Sequence, residues 1–136
     1  MFELVGKIRT IRYCELPPEG FDPDDWQPPS WHQTTQGLSA QKRKRSWASI
    51  LVKQKMFVDG KQLKAPDHFN TEGILPDDKH FYAIKAGKVR AYGWFSTRMK
   101  GVFFVSHFVL KDGEKLAPQD TTHVIRNWRS IEKIEE

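Results

Sequence analysis

Between residues 80 and 110 the chain alternates apolar and polar positions in short runs separated by Gly-containing turns, the pattern of consecutive β-strands. Three strands are predicted, His80–Ala86, Lys88–Phe95 and Gly101–Leu110, with turns at Ala86-Gly87 and Arg98–Gly101. On Lys88–Phe95 one face carries Lys88, Arg90, Tyr92 and Trp94, and the other carries Val89, Ala91, Gly93 and Phe95. The third strand is apolar on both faces, with Phe103, Val105, His107 and Val109 on one and Phe104, Ser106 and Phe108 on the other. Such a strand is expected at the centre of a sheet, covered on both sides.

The flanking segments predict fewer and longer elements. Phe2–Tyr13 is rich in β-branched and aromatic residues and reads as one strand. Cys14–Gln36 is polar and holds five prolines, which exclude a long helix. A short helical turn fits at Asp24–Trp26 or Ser30–Thr34, and Phe21, Trp26 and Trp31 are expected to anchor this connection to the body. Ser39 caps a helix running to about Phe57, in which Trp47, Ile50 and Leu51 form an i, i+3, i+4 stripe that Val58 extends. Asp59-Gly60 supplies a turn, and the next stretch, to Asp78, reads as mostly polar loop. Asp112-Gly113 closes the last strand, and Pro118 opens a helix over about Gln119–Ser130. The whole, residues 1–136, is expected to be one α+β domain.

Charge narrows the partner more by its placement than by its total of +5. Residues 37–58 hold Lys42, Arg43, Lys44, Arg45, Lys53 and Lys55 and no acid, whereas the first 36 residues are net acidic. Four consecutive cations on a helix point all round its axis, so Lys42–Arg45 reads first as a solvated surface and second as a nucleic-acid or acidic-partner contact. Cys14 is the single cysteine, which excludes an internal disulfide and a Cys-based zinc site. No apolar run approaches a membrane span and no basic–apolar signal pattern opens the chain. A cytoplasmic protein without a membrane partner is expected. His32, His68, His80 and His123 lack metal-ligand spacing, and no phosphate-binding or dinucleotide Gly-rich loop occurs. Neither a metal nor another cofactor is expected.

The candidate chemistry is the set Lys85, Arg90, His107 and Lys111, placed by the strand pattern at neighbouring positions of one sheet. Metal-free RNA cleavage requires a base for the 2′-OH proton, cations for the phosphorane charge and an acid for the leaving 5′-oxygen. Histidine carries protons near neutral pH, arginine grips phosphate bidentately, and Tyr92 or Trp94 offers a stacking surface for a base. Taken singly, His107 reads as a half-buried structural histidine and Arg90 as a solvated or salt-bridged residue.

The order of these residues resembles the RelE/HigB/ParE superfamily of toxin–antitoxin toxins, closest to its HigB-like, phage-derived branch. The resemblance rests on Tyr82-Ala83-Ile84-Lys85, Val89-Arg90-Ala91-Tyr92 and Ser106-His107-Phe108-Val109-Leu110-Lys111, followed by Lys115, Pro118, Asp120 and a helix. It implies a RelE-like fold, a small antiparallel sheet with helices packed on one side. It further implies a ribosome-dependent, metal-independent mRNA endoribonuclease: a type II toxin whose partners are mRNA, the ribosome and a cognate antitoxin. Carried over by residue, Arg90 would hold the scissile phosphate and Lys85 would stabilise charge. His107 and Lys111 would transfer protons or bind phosphate, while Lys88, Tyr92, Trp94, Lys115 and His123 would contact RNA. The Pro-rich Cys14–Gln36 departs from the family's helical hairpin. A gyrase-directed toxin or phage accessory protein on the same fold, or a basic nucleic-acid-binding module, are the alternatives.

Overall fold

The computed structural model describes residues 3–20, 26–65, 67–111 and 116–132. Phe2, Phe21, the Asp112-Gly113 turn and Lys115 lie outside the described residues. Six strands and three helices are present among them: β1 (Glu3–Val5), β2 (Thr10–Tyr13), α1 (Pro29–Thr34), α2 (Ala40–Val58), β3 (Phe69–Ile74), β4 (His80–Ala86), β5 (Val89–Phe95), β6 (Val102–Leu110) and α3 (Pro118–Glu132). They form one mixed sheet in the order β1-β2-β6-β5-β4-β3, with β2 parallel to β6 and every other pair antiparallel.

The α+β class agrees with the sequence; the small antiparallel sheet with helices on one side does not. Both faces of the central strands are apolar, so both need cover. Ile50, Phe57 and Val58 of α2 and Trp31 of α1 pack with Ile11, Ala91, Phe103, Val105 and Phe108 on one face. Val124 and Trp128 of α3 pack with Phe81, Tyr92, Trp94 and Phe104 on the other.

The N-terminal stretch is two strands rather than one. Val58, the last residue of α2, intrudes at the break: its carbonyl accepts from both Ile8 N (2.9 Å) and Arg9 N (3.0 Å). A Cβ on Gly6 would stand 2.4 Å from that same carbonyl, so only glycine permits the approach. The stretch read as loop before Asp78 contains β3, a half-exposed edge strand whose Phe69 stacks on Phe57 and Tyr82. Polar Asn70, Thr71 and Glu72 hide it from a hydrophobicity pattern.

The proline-rich connection delivers α1 to the sheet. β2 pairs with β6 only over Val102–Val105, which leaves the outer edge of later β6 open. Ser30 and Thr34, one helical turn apart on α1, close it: Phe108 N donates to Ser30 Oγ (2.9 Å) and Leu110 N to Thr34 Oγ1 (2.8 Å). Glu15 holds Ser30 in place by accepting from its backbone N at 2.8 Å. Trp31 is fully buried against Trp47 and Phe108, and Trp26 is also buried, as expected of anchors. Among the described residues no helix is long and apolar enough to cross a membrane.

Candidate functional site

A bulge in β6 decides which side chains meet. Tyr92 pairs with His107, but Gly93 pairs with Val105, so Ser106 is an extra residue on that strand. A single inserted residue reverses the facing of everything beyond it. Phe103 and Val105 therefore face α2, whereas His107 and Val109 face α3. The expectation of one shared face for Phe103, Val105, His107 and Val109 is corrected accordingly. Gly93 is required opposite the bulge, because a Cβ there would lie 2.2 Å from the Phe104 carbonyl oxygen.

Beyond the bulge, β6 and α3 share a polar network. Asp120, in the first turn of α3, accepts from Lys111 Nζ at 2.6 Å on one carboxylate oxygen and meets His107 Nε2 at 3.2 Å on the other. The opposite ring nitrogen, Nδ1, lies 2.8 Å from Ser106 Oγ, which accepts from Asn127 Nδ2 at 2.8 Å. With Asn127 donating, the consistent proton assignment runs from the Ser106 hydroxyl to Nδ1 and from Nε2–H to Asp120, giving a neutral His107. Burial is the main cause of the same result electrostatically: it pulls the His107 pKa down to about 4, with nearby His123 adding to the fall and Asp120 opposing it. His123 stacks on His107 with ring centroids 4.0 Å apart at 17°. Its pKa is also lowered, by partial burial and by Arg126, against the pull of Asp120.

This network opens on a cleft of about 430 Å³ lined by His107, Lys111, Asp120, His123, Gln33 and Thr34 among others. Ser106 is wholly buried, so its hydroxyl orients the histidine and is not offered to a substrate. Of the titratable groups in the cleft, Lys111 and His123 are the half-buried ones that reach its mouth, beside exposed Gln33 and Gln119.

The other predicted residues are placed as follows. Lys85 and Arg90 are cross-strand neighbours, and Arg90 in turn pairs with Val109, so the row lies on the α3 face next to that of Tyr92 and His107. Both cations are buried, at 3% and 4% exposure, and neither lines the cleft. Arg90 Nη1 donates to Gly87 O (2.7 Å) and Val89 O (3.2 Å), binding its own hairpin turn. Tyr92 and Trp94 are buried under α3, with the Trp94 indole donating to Glu132 at 2.8 Å. Neither ring presents a face for stacking a base, because a sheet face read as polar and aromatic is here internal. Lys88 is exposed in the turn before β5, beside Lys42 and Arg45 of α2 rather than with Arg90.

Asp120, Ser106 and Asn127 complete the network without having been singled out as site residues. Asp120 and His123 are three apart on α3, a spacing that puts both on one helix side, but no local signal marks Lys111 as their partner. The assembly is an α+β domain with a His-Asp-Lys cleft where its central strand ends. No family model matches the chain, and neither the curated proteins nor the solved structures offer a match.

Proposed function

We propose that this chain is a ribosome-dependent mRNA endoribonuclease, the toxin of a toxin–antitoxin pair on a RelE-like layout, with a cognate antitoxin as its protein partner. The observation that carries the reading is the convergence of Lys111, Asp120, His107 and His123 on one open cleft. The lowered pKa leaves the His123 imidazole neutral at physiological pH, fit to accept the proton of an RNA 2′-OH. As the 2′-oxygen bonds to phosphorus and the P–O5′ bond breaks, the Lys111 ammonium offsets the phosphorane charge and gives a proton to the leaving 5′-oxygen. Asp120 orients Lys111, and His107 orients Asp120. Lys85 and Arg90 lie beneath the surface, where Arg90 braces the β4–β5 hairpin turn through Gly87 O and Val89 O.

Burial of Arg90, Tyr92 and Trp94 favours a second reading, a non-catalytic interaction protein on the same architecture. A translated message in a reconstituted ribosome system separates the two. Cuts made by wild type and lost in folded Lys111→Ala and His123→Ala proteins support the nuclease. Absence of cuts from folded wild-type protein leaves only the binding role.

A further inference from the structure

The Lys42–Arg45 run sorts between two sides of α2. Arg43 and Lys44 lie toward His32 and Trp47. Lys42 and Arg45 instead line a cleft of about 530 Å³ with Leu38, Ser46, Ser49 and Lys88. Lys42, Ser46 and Ser49 follow an i, i+4, i+7 spacing, so a single helix face brings ammonium and hydroxyl groups to the same groove. Among the described residues no carboxylate lines it, and α2 contains no Asp or Glu. Among the described residues Lys42 and Arg45 have no ion pair or side-chain hydrogen bond. Their charge is uncompensated, the condition that favours a polyanion releasing its counterions on binding.

This groove adjoins the His107 cleft. Leu110 is a wall of both, and Lys111 N donates to Lys88 O at 2.7 Å, tying the two rims together. We propose that the two clefts form one track for single-stranded RNA, which passes over Leu110 and seats its flanking phosphates on Lys42 and Arg45. The identity of the linkage held at Lys111 and His123 rests on the nuclease reading; the track itself does not. A single strand fits because the path turns round the end of the sheet, which a stiff duplex cannot follow. Ser46 and Ser49 offer donors to phosphate oxygens, and Leu38 and Leu110 offer apolar surface to sugars and unstacked bases. These contacts go to phosphate, sugar and base faces, which carry no base identity, so binding through them is independent of sequence.

The test is fluorescence anisotropy with a labelled single-stranded RNA carrying 2′-O-methyl riboses, which lacks the nucleophile and needs no ribosome. Wild type binds it, and K42E/R45E binds at least about tenfold more weakly, with a log–log salt slope reduced by about 1.4 for two lost phosphate contacts. K61E/K79E, the same charge change at exposed lysines outside both clefts, retains the wild-type affinity. No binding by wild type, equal binding by K42E/R45E, or equal loss in K61E/K79E overturns the track. Displacement of the RNA by polyglutamate of equal charge overturns it in favour of an acidic peptide. If K42E/R45E loses RNA but wild type never cuts a translated message, the nuclease reading falls and the track stands.

Discussion

His107 on β6 and His123 on α3 stack almost parallel, 4.0 Å between ring centroids, while the Nε2 of His107 is turned to Asp120. Two protonated imidazoles in that geometry would repel at close range, so the fold is built around neutral rings. Burial is the larger cause of the depressed His107 pKa of about 4, and His123 the next.

A pH dependence follows. The folded pKa lies below the unfolded value of about 6.5, so between these limits the unfolded chain binds the extra proton. The His107 contribution is fully present above about pH 6.5 and is lost as the pH falls toward 4, on the order of 3 kcal/mol in all. His123 adds in the same direction. In NMR titrations the His107 ring stays neutral through pH 6; a midpoint near 6.5 would contradict the buried network.

Asp120 is the node between strand and helix, because both Lys111 and His107 converge on it. Asp120→Ala leaves Lys111 without its counter-ion and His107 without an acceptor. Breaking a buried pair costs about 3–5 kcal/mol, and the 14% exposure of the Lys111 side chain, which lets its ammonium reach water, places the loss at the lower end. Lys111→Ala costs less, since Asp120 keeps His107. Urea unfolding of the two variants should rank them in that order, and the reverse rank would displace Asp120 from the centre.

At the other end of α3, Glu132 accepts from Trp94 Nε1, Ser96 Oγ, Thr97 N and Oγ1, and Arg98 N. Burial raises its pKa, but these hydrogen bonds outweigh it and the net shift is downward. Glu132→Ala leaves the buried indole unpaired, a penalty of about 1–3 kcal/mol for that group alone. Hydrogen exchange at the Thr97 and Arg98 amides should rise together. Unchanged protection there would mean that the β5–β6 turn holds itself.

Two glycines should respond differently to the same methyl group. At Gly93 a Cβ meets the Phe104 carbonyl and the Phe103 ring at 2.2 and 2.4 Å. Gly93→Ala must push β5 from β6 and is expected to cost more than about 3 kcal/mol, in the range of severe core overpacking. At Gly87 the space is open and only the positive φ of 58° resists, so Gly87→Ala costs about 1 kcal/mol. Thermal unfolding of the pair measures the contrast; similar losses would remove the bulge's claim on Gly93.

Much of this arrangement is legible in the sequence, and the failures have physical causes. The three strands β4–β6, helix α2 capped by Ser39, and α3 opening at Pro118 all announce themselves by period and turn residues. Trp31 signals that the proline-rich stretch is anchored. The bulge at Ser106 leaves no mark, because a strand apolar on both faces looks the same before and after a shift of one residue. Tyr92 and Trp94 mislead for a related reason: an aromatic ring with a polar tip suits a wet surface or a buried site with a partner, and only α3 reveals which. Lys88 stands one position outside its strand, enough to send it to α2 instead of Arg90. The grouping of Lys111 with His123 depends on α3 returning across β6, a long-range event that no local pattern encodes.

The parallel seam between β2 and β6 also sets an order of events. Thr10 pairs with Val102 and Tyr13 with Val105, so the β1–β2 hairpin has no further neighbour in the sheet until β6 is present. The β3–β6 meander, by contrast, is made of strands adjacent in sequence. On a growing chain the meander can assemble as it emerges, and α1 and β2 must wait for β6 before they close its outer edge. Loop-closure entropy makes that last docking slow. Maturation of the cleft, one wall of which α1 supplies, therefore follows the emergence of β6 and α3 rather than that of β1 and β2.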